Sequence, residues 1–348
     1  MDELTVILVT SVMKIFIVLA PFVAIYTLNK RFERESKEKP RSVYFIIGLL
    51  FCLINVVGVI ISRALILFGG APFAFCVFAP IFYLSLIVGS LLLYWFVLLV
   101  KEYQTGENAY KKFTEMLPLL LVFSAFFIGM VWGIHPQHNL SWVLLRYSYL
   151  GYIILALCYL ESGSFFKNFE IRKWYLSVIA SCILTIQPLI LIHNQMRILW
   201  GFVESTPPIF GLLPFTFGTV AGFMALIPSI LLLLEMRKPM PEIDKKSLEN
   251  EYTLAIFQFL TNTSQTMGGA TMTIFRSAVD GYNQRFKKGV QIDDTIHLSG
   301  LSNEEWPEFA EFLLSIYYQC IGPTTFECTK EIKIIKDIVK KVEEKHPL

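Results

Sequence analysis

Seven long apolar runs, at roughly 5–28, 43–68, 73–100, 114–134, 143–160, 175–193 and 209–235, constrain this chain more than any motif in it. A bilayer span needs about 20 mainly apolar residues. Hydrocarbon offers the backbone no hydrogen bonds, so each such run must close its own as a helix. Composition agrees. Apolar residues make up 55% of the chain and charged residues 17%, against roughly a quarter charged in soluble domains. The expected fold is an all-α membrane protein: a seven-transmembrane-helix bundle followed by a cytoplasmic, mainly helical domain. The acidic start "MDEL" and the length of the first run point to a true span, not a cleaved signal.

Lysine and arginine set the expected orientation. "NKRFERESKEKPRS", "KEYQTGENAYKKF", "ESGSFFKNFEIRKW" and "MRKPMPEIDKK" are basic loops. The loops between them, "GGAPFAF" and "HPQHNLSW", carry neither residue. The N-terminus is therefore expected outside the cell membrane and the C-terminus in the cytoplasm. The expected domains are the spans at 1–238, a linker at 239–247 and the tail at 248–348.

In the tail, Tyr252, Ile256, Phe259 and Leu260 recur at helical spacing, as do Phe275, Val279, Tyr282 and Phe286, then Phe309, Leu313, Ile316 and Tyr317. A last helix opens at "GPTTFE", where Thr324 and Glu327 have capping-box spacing. It carries the stripe Ile335, Ile338, Val339 and Val342. "VQIDDTIHL" alternates as a small hairpin does. "SQTMGGATMT" reads as a helix–helix turn rather than an anion cradle. Asp293, Asp294 and His297 read as an exposed turn.

Several cations lie within or at the ends of the spans. Lys14 sits about 13 Å along the first helix, counted from Thr5 at 1.5 Å per residue. Arg63, Arg146, His193 and Arg197 fall in the same outer half. The acids of that half are Asp2, Glu3 and Glu204, none of them inside a run. Arginines near span ends can snorkel to lipid phosphates, but an ionisable residue deep in a span usually faces a wet interior. Lys14, Arg63, Arg146, His193 and Arg197 are thus the candidate ligand-binding residues of an outward cavity suited to an anion. Asn55, Tyr83, Tyr147, Tyr149, Gln187 and Trp200 are candidates to complete it.

Other chemistries leave no trace in the sequence. The seventh run has no lysine for a retinal Schiff base, and no span holds an aspartate or an HExxH metal motif. The six cysteines form no CxxC pair. The tail has no P-loop and no glycine-rich ATP lid. No catalytic residue, metal or cofactor is expected. The leading expectation is a sensor or receptor that binds a small anionic or lipid ligand and signals through a non-catalytic tail. An anion or small-molecule transporter with a regulatory tail is the alternative. A lipid enzyme using His193 as a base ranks last, because no acid is placed to orient it. Expected partners are membrane lipid, a small anion, a cytoplasmic signalling protein and a second copy of the chain; nucleic acid is not expected.

Overall fold

The computed structural model describes residues 22–35, 42–67, 72–105, 108–134, 149–199, 208–238, 251–292 and 298–345, with Val9, Val12, Met13, Ile15 and Phe16. Within them, only the backbone is described for segments that include 62–67, 72–80, 126–134, 191–199 and 208–215. The chain is mostly helical. The helices of the first part are α1 (Val23–Glu35), α2 (Ser42–Leu67), α3 (Pro72–Thr105), α4 (Ala109–Ile134), α5 (Leu150–Asn168), α6 (Tyr175–Leu199) and α7 (Pro208–Arg237). The tail holds α8 (Glu251–Met267), α9 (Ala270–Phe286), α10 (Trp306–Ile321), α11 (Thr324–Glu327) and α12 (Lys336–Lys345).

Three described stretches are long and apolar enough to cross a membrane: Ile81–Glu102, Leu150–Asn168 and Thr216–Arg237. Ser42–Gly58 and Tyr175–Ile190 are shorter apolar stretches. Their outer surfaces are apolar as well. Ile46, Leu50, Val57 and Ile61 are exposed along α2, and Phe223, Ile227, Ile230 and Leu234 along α7. These positions recur at helical spacing, so each makes a continuous stripe. Hydrocarbon accommodates such a surface; water does not.

Inside the bundle, small residues set the closest approach. A Cβ at Gly89 would lie 2.7 Å from the carbonyl oxygen of Gly48 and 2.6 Å from Cys52 Sγ. The backbones of α2 and α3 therefore touch, as small residues allow where no hydrophobic effect drives helices together. Cross-helix hydrogen bonds add direction. Asn55 Nδ2 donates to Phe82 O at 2.7 Å, and Ser181 Oγ to Ala156 O at 2.6 Å.

The helices outrun the apolar runs that predict them. α1 continues to Glu35, so Lys30, Arg31 and Arg34 stand on a helix rather than in a loop. Buried Ile25, Leu28 and Asn29 give that extension an inner face. α3 continues to Thr105 and α5 to Asn168 for the same reason, since Lys101 and Glu161 at their ends are buried.

The tail packs the stripes its sequence predicts. Phe259, Phe275, Tyr282, Phe309, Leu313 and Tyr317 are all buried. Tyr282 meets Phe309 edge-on at 5.1 Å, and Tyr317 donates its hydroxyl to Thr271 O at 2.6 Å. The hairpin forms as a short antiparallel pair, β1 (Gln291–Ile292) with β2 (Leu298–Ser299), with Ile292 opposite Leu298. Asp293, Asp294 and His297 lie outside the described residues. The last helix differs from its expected form. Pro323, not Thr324, precedes the first turn of α11, and no side chain caps it. Thr324 and Thr325 are buried in the tail core instead. A break follows, then a 3-10 turn at Lys333–Ile335 and α12, whose Ile338 and Val342 are buried.

Gly89→Val should force α2 and α3 apart, because two of the three atoms it would strike belong to backbone. We expect a loss of roughly 1–3 kcal/mol, read as a lower melting temperature in detergent. Unchanged melting would contradict the backbone contact.

Candidate functional site

The direction of each helix follows from its contacts. Gly58 of α2 meets Phe82 of α3, and Gly151 of α5 meets Leu86. Ser181 of α6 bonds Ala156 of α5. The end of α2, the start of α3, the start of α5 and the end of α6 thus share one end of the bundle, here called the far end. The helical positions of Arg63, His193 and Arg197 lie there, with side chains outside the described residues. Lys14 and Arg146 lie outside the described residues altogether.

Gln187 lies on α6, about a turn and a half before His193. It is fully buried, and neither Nε2 nor Oε1 has a hydrogen-bond partner among the described residues. A buried amide without partners costs roughly 1–3 kcal/mol, so such groups are rare unless water or a ligand meets them. Pro188 follows inside the same helix. Having no N–H, it leaves the carbonyl of Leu184 without its usual helical donor. A buried amide and a carbonyl deprived of its donor thus sit within one turn. Asn55, by contrast, has its amide engaged by Phe82 O.

At the opposite end, a carboxylate gathers three helices. Glu161 Oε2 of α5 lies 2.6 Å from Lys101 Nζ of α3 and 3.5 Å from Lys112 Nζ of α4. The Lys101 and Glu161 side chains are only 10% and 9% exposed. Sequence reasoning counted Lys101 and Lys112 as loop charges and missed this cluster. The available signal was an acid directly after the apolar run "YIILALCYL".

The tail sits on this same end. Gly268 ends α8 in a left-handed conformation, φ 58°, and a Cβ there would fall 1.8 Å from Met236 O of α7. The turn foreseen in "SQTMGGATMT" is therefore also a seat, where the tail backbone rests on the end of α7. Thr273 of α9 donates to Glu235 Oε2 of α7 at 3.2 Å. Cys320 of α10 donates its thiol to Asn168 O at 2.7 Å. Burial pushes that thiol's pKa up to about 12, so it packs rather than reacts. Glu170, in the α5–α6 turn, accepts a hydrogen bond from Ser277 of α9. It does so from a left-handed backbone, φ 51°, which a non-glycine residue adopts only when its surroundings hold it there.

No family model, curated protein or solved structure matches the chain.

Two outcomes follow from this end of the bundle. Glu161→Gln removes the carboxylate charge that Lys101 meets at 2.6 Å and should cost about 3 kcal/mol, measured by thermal unfolding. The paired change Lys101→Met with Glu161→Leu should recover most of it; equal losses would refute the account. Gly268→Val should unseat the tail, and mass-spectrometric mapping of maleimide labelling should then find Cys320 reactive. Protection equal to that of the parent chain would show that the seat is not needed.

Proposed function

We propose that this chain is a seven-span membrane sensor, with its N-terminus outside and its tail in the cytoplasm. It binds a small anion in a hydrated pocket at the far end of the bundle and passes the resulting shift to the tail. The observation that carries the reading is Gln187, buried with both amide atoms unmatched among the described residues. An amide in that state is met by a polar occupant or pays for its absence in stability. On this reading Lys14, Arg63, Arg146, His193 and Arg197 supply the positive field, and Gln187 donates from the pocket floor. The basic loops at the tail end and the lysine-free, arginine-free loops opposite support the orientation.

Transmission has a physical route. Tail helices α8, α9 and α10 contact α1, α7 and α3 respectively. A tilt or rotation of these helices moves the surface on which the tail rests, and a ligand that favours one tilt biases that surface. A cytoplasmic protein or a second copy of the chain would read the change. Transport of the anion is the competing reading. It is favoured by Pro118 inside α4 and Pro188 inside α6, since proline-interrupted helices bend.

The test is a thermal-shift screen of small carboxylates and phosphates on the purified chain. We expect at least one to raise the melting temperature of the parent, and Lys14→Met to abolish that rise without altering membrane insertion. Gln187→Leu should melt higher than the parent without anion, yet lose the anion response. If no compound acts on the parent, or both variants respond like it, the pocket is refuted. Flux of the active anion into vesicles would select transport over sensing.

A further inference from the structure

A cleft of about 610 Å³ opens where the tail meets the bundle, within the usual size range of small-ligand sites. Three segments wall it: the α5–α6 turn, the last turns of α7 and one face of α9. Its apolar side is Ile171, Leu231 and Met272. Its polar side carries three cations, Arg172, Lys238 and Arg276, and three acids, Glu170, Glu235 and Asp280.

Part of this charge is already engaged. Lys238 Nζ lies 2.6 Å from Glu235 Oε1, Thr273 bonds Glu235 Oε2, and Ser277 bonds Glu170. Arg172, Arg276 and Asp280 are exposed and have no hydrogen-bond or ion-pair partner among the described residues. Two guanidinium groups and one carboxylate are therefore left to a visitor. Guanidinium forks match phosphate oxygens in pairs. A carboxylate matches an ammonium that has N–H groups to give.

The height of the cleft narrows the choice. The apolar stretches of α5 and α7 end at Asn168 and Arg237, and the cleft is built from residues at and just beyond those ends. A bilayer around these stretches would bring its headgroups level with the cleft, and its first acyl carbons level with Leu231. We propose that the cleft holds a phospholipid headgroup bearing a primary amine, of the phosphatidylethanolamine type. Its phosphate meets Arg172 and Arg276, and its ammonium meets Asp280. Arg172 comes from the bundle and Arg276 and Asp280 from the tail, so the lipid clasps the two together. This rests on the membrane placement of α5 and α7, and not on any ligand at the far end.

The experiment uses the full chain in detergent, titrated with short-chain phosphatidylethanolamine, phosphatidylcholine or phosphatidylglycerol, and read by native mass spectrometry. Phosphatidylcholine has the phosphate but no N–H on its cation; phosphatidylglycerol has no cation. We expect phosphatidylethanolamine to bind about tenfold tighter than either, the worth of one charge-assisted pair. Arg172→Gln and Arg276→Gln should each weaken it by about tenfold. Asp280→Asn, an exposed change, should erase the preference over phosphatidylcholine and leave phosphatidylcholine binding as it was. Equal binding of the three lipids, or a preference that survives Asp280→Asn, overturns the proposal. Phosphoethanolamine without acyl chains competing as strongly as the lipid overturns the lipid source. Gln187→Leu should bind phosphatidylethanolamine as the parent does, so a failure of the far-end pocket is seen separately.

Discussion

One buried carboxylate holds together the end of the bundle on which the tail depends. Glu161 is reached by Lys101 at 2.6 Å and by Lys112 at 3.5 Å, and these three residues belong to three helices. Taking such charges out of water is expensive, and their attraction repays the cost only with good geometry. The pairing is therefore weak as a source of net stability, and what it does is tie three helices to one point. α10 of the tail lies against α3, so one of the helices tied there is also a helix on which the tail rests.

The tail reads as a companion of the bundle rather than an appendage. Its links are of different kinds: a backbone seat at Gly268, a thiol on the carbonyl of Asn168, and hydroxyls on Glu170 and Glu235. All four lie in the last turn of a helix or in the turn that follows it, where carbonyls lack helical donors or side chains leave the packed interior. A domain attached at such points is tied to the helix ends themselves. The cleft beside them leaves part of the junction open to a third molecule.

Much of this architecture was legible in the sequence, and the parts that were not share a cause. Apolar runs located α2 to α7, and apolar stripes located the tail core, because both reflect burial along one element. Periodicity does not report pairing across elements. Lys101 and Glu161 looked like loop charges because each lies where hydropathy falls, and hydropathy cannot show that two falling ends meet. Thr324 has the spacing of a cap yet is buried among tail side chains, with Pro323 in the position before the helix. Gly268 and Gly269 announced a turn, but not that α7 would fill the space their missing side chains leave. Gln187 was legible as a polar residue in an apolar run; that no described residue meets its amide needed three dimensions.

The contact of Gly48 with Gly89 has a bearing on how the chain is made. Every atom in it belongs to residues 42–105. A hairpin whose two arms touch through main chain requires nothing synthesised afterwards. Once Thr105 has left the ribosome, every residue that this joint needs has been made, and none of the later segments contributes an atom to it.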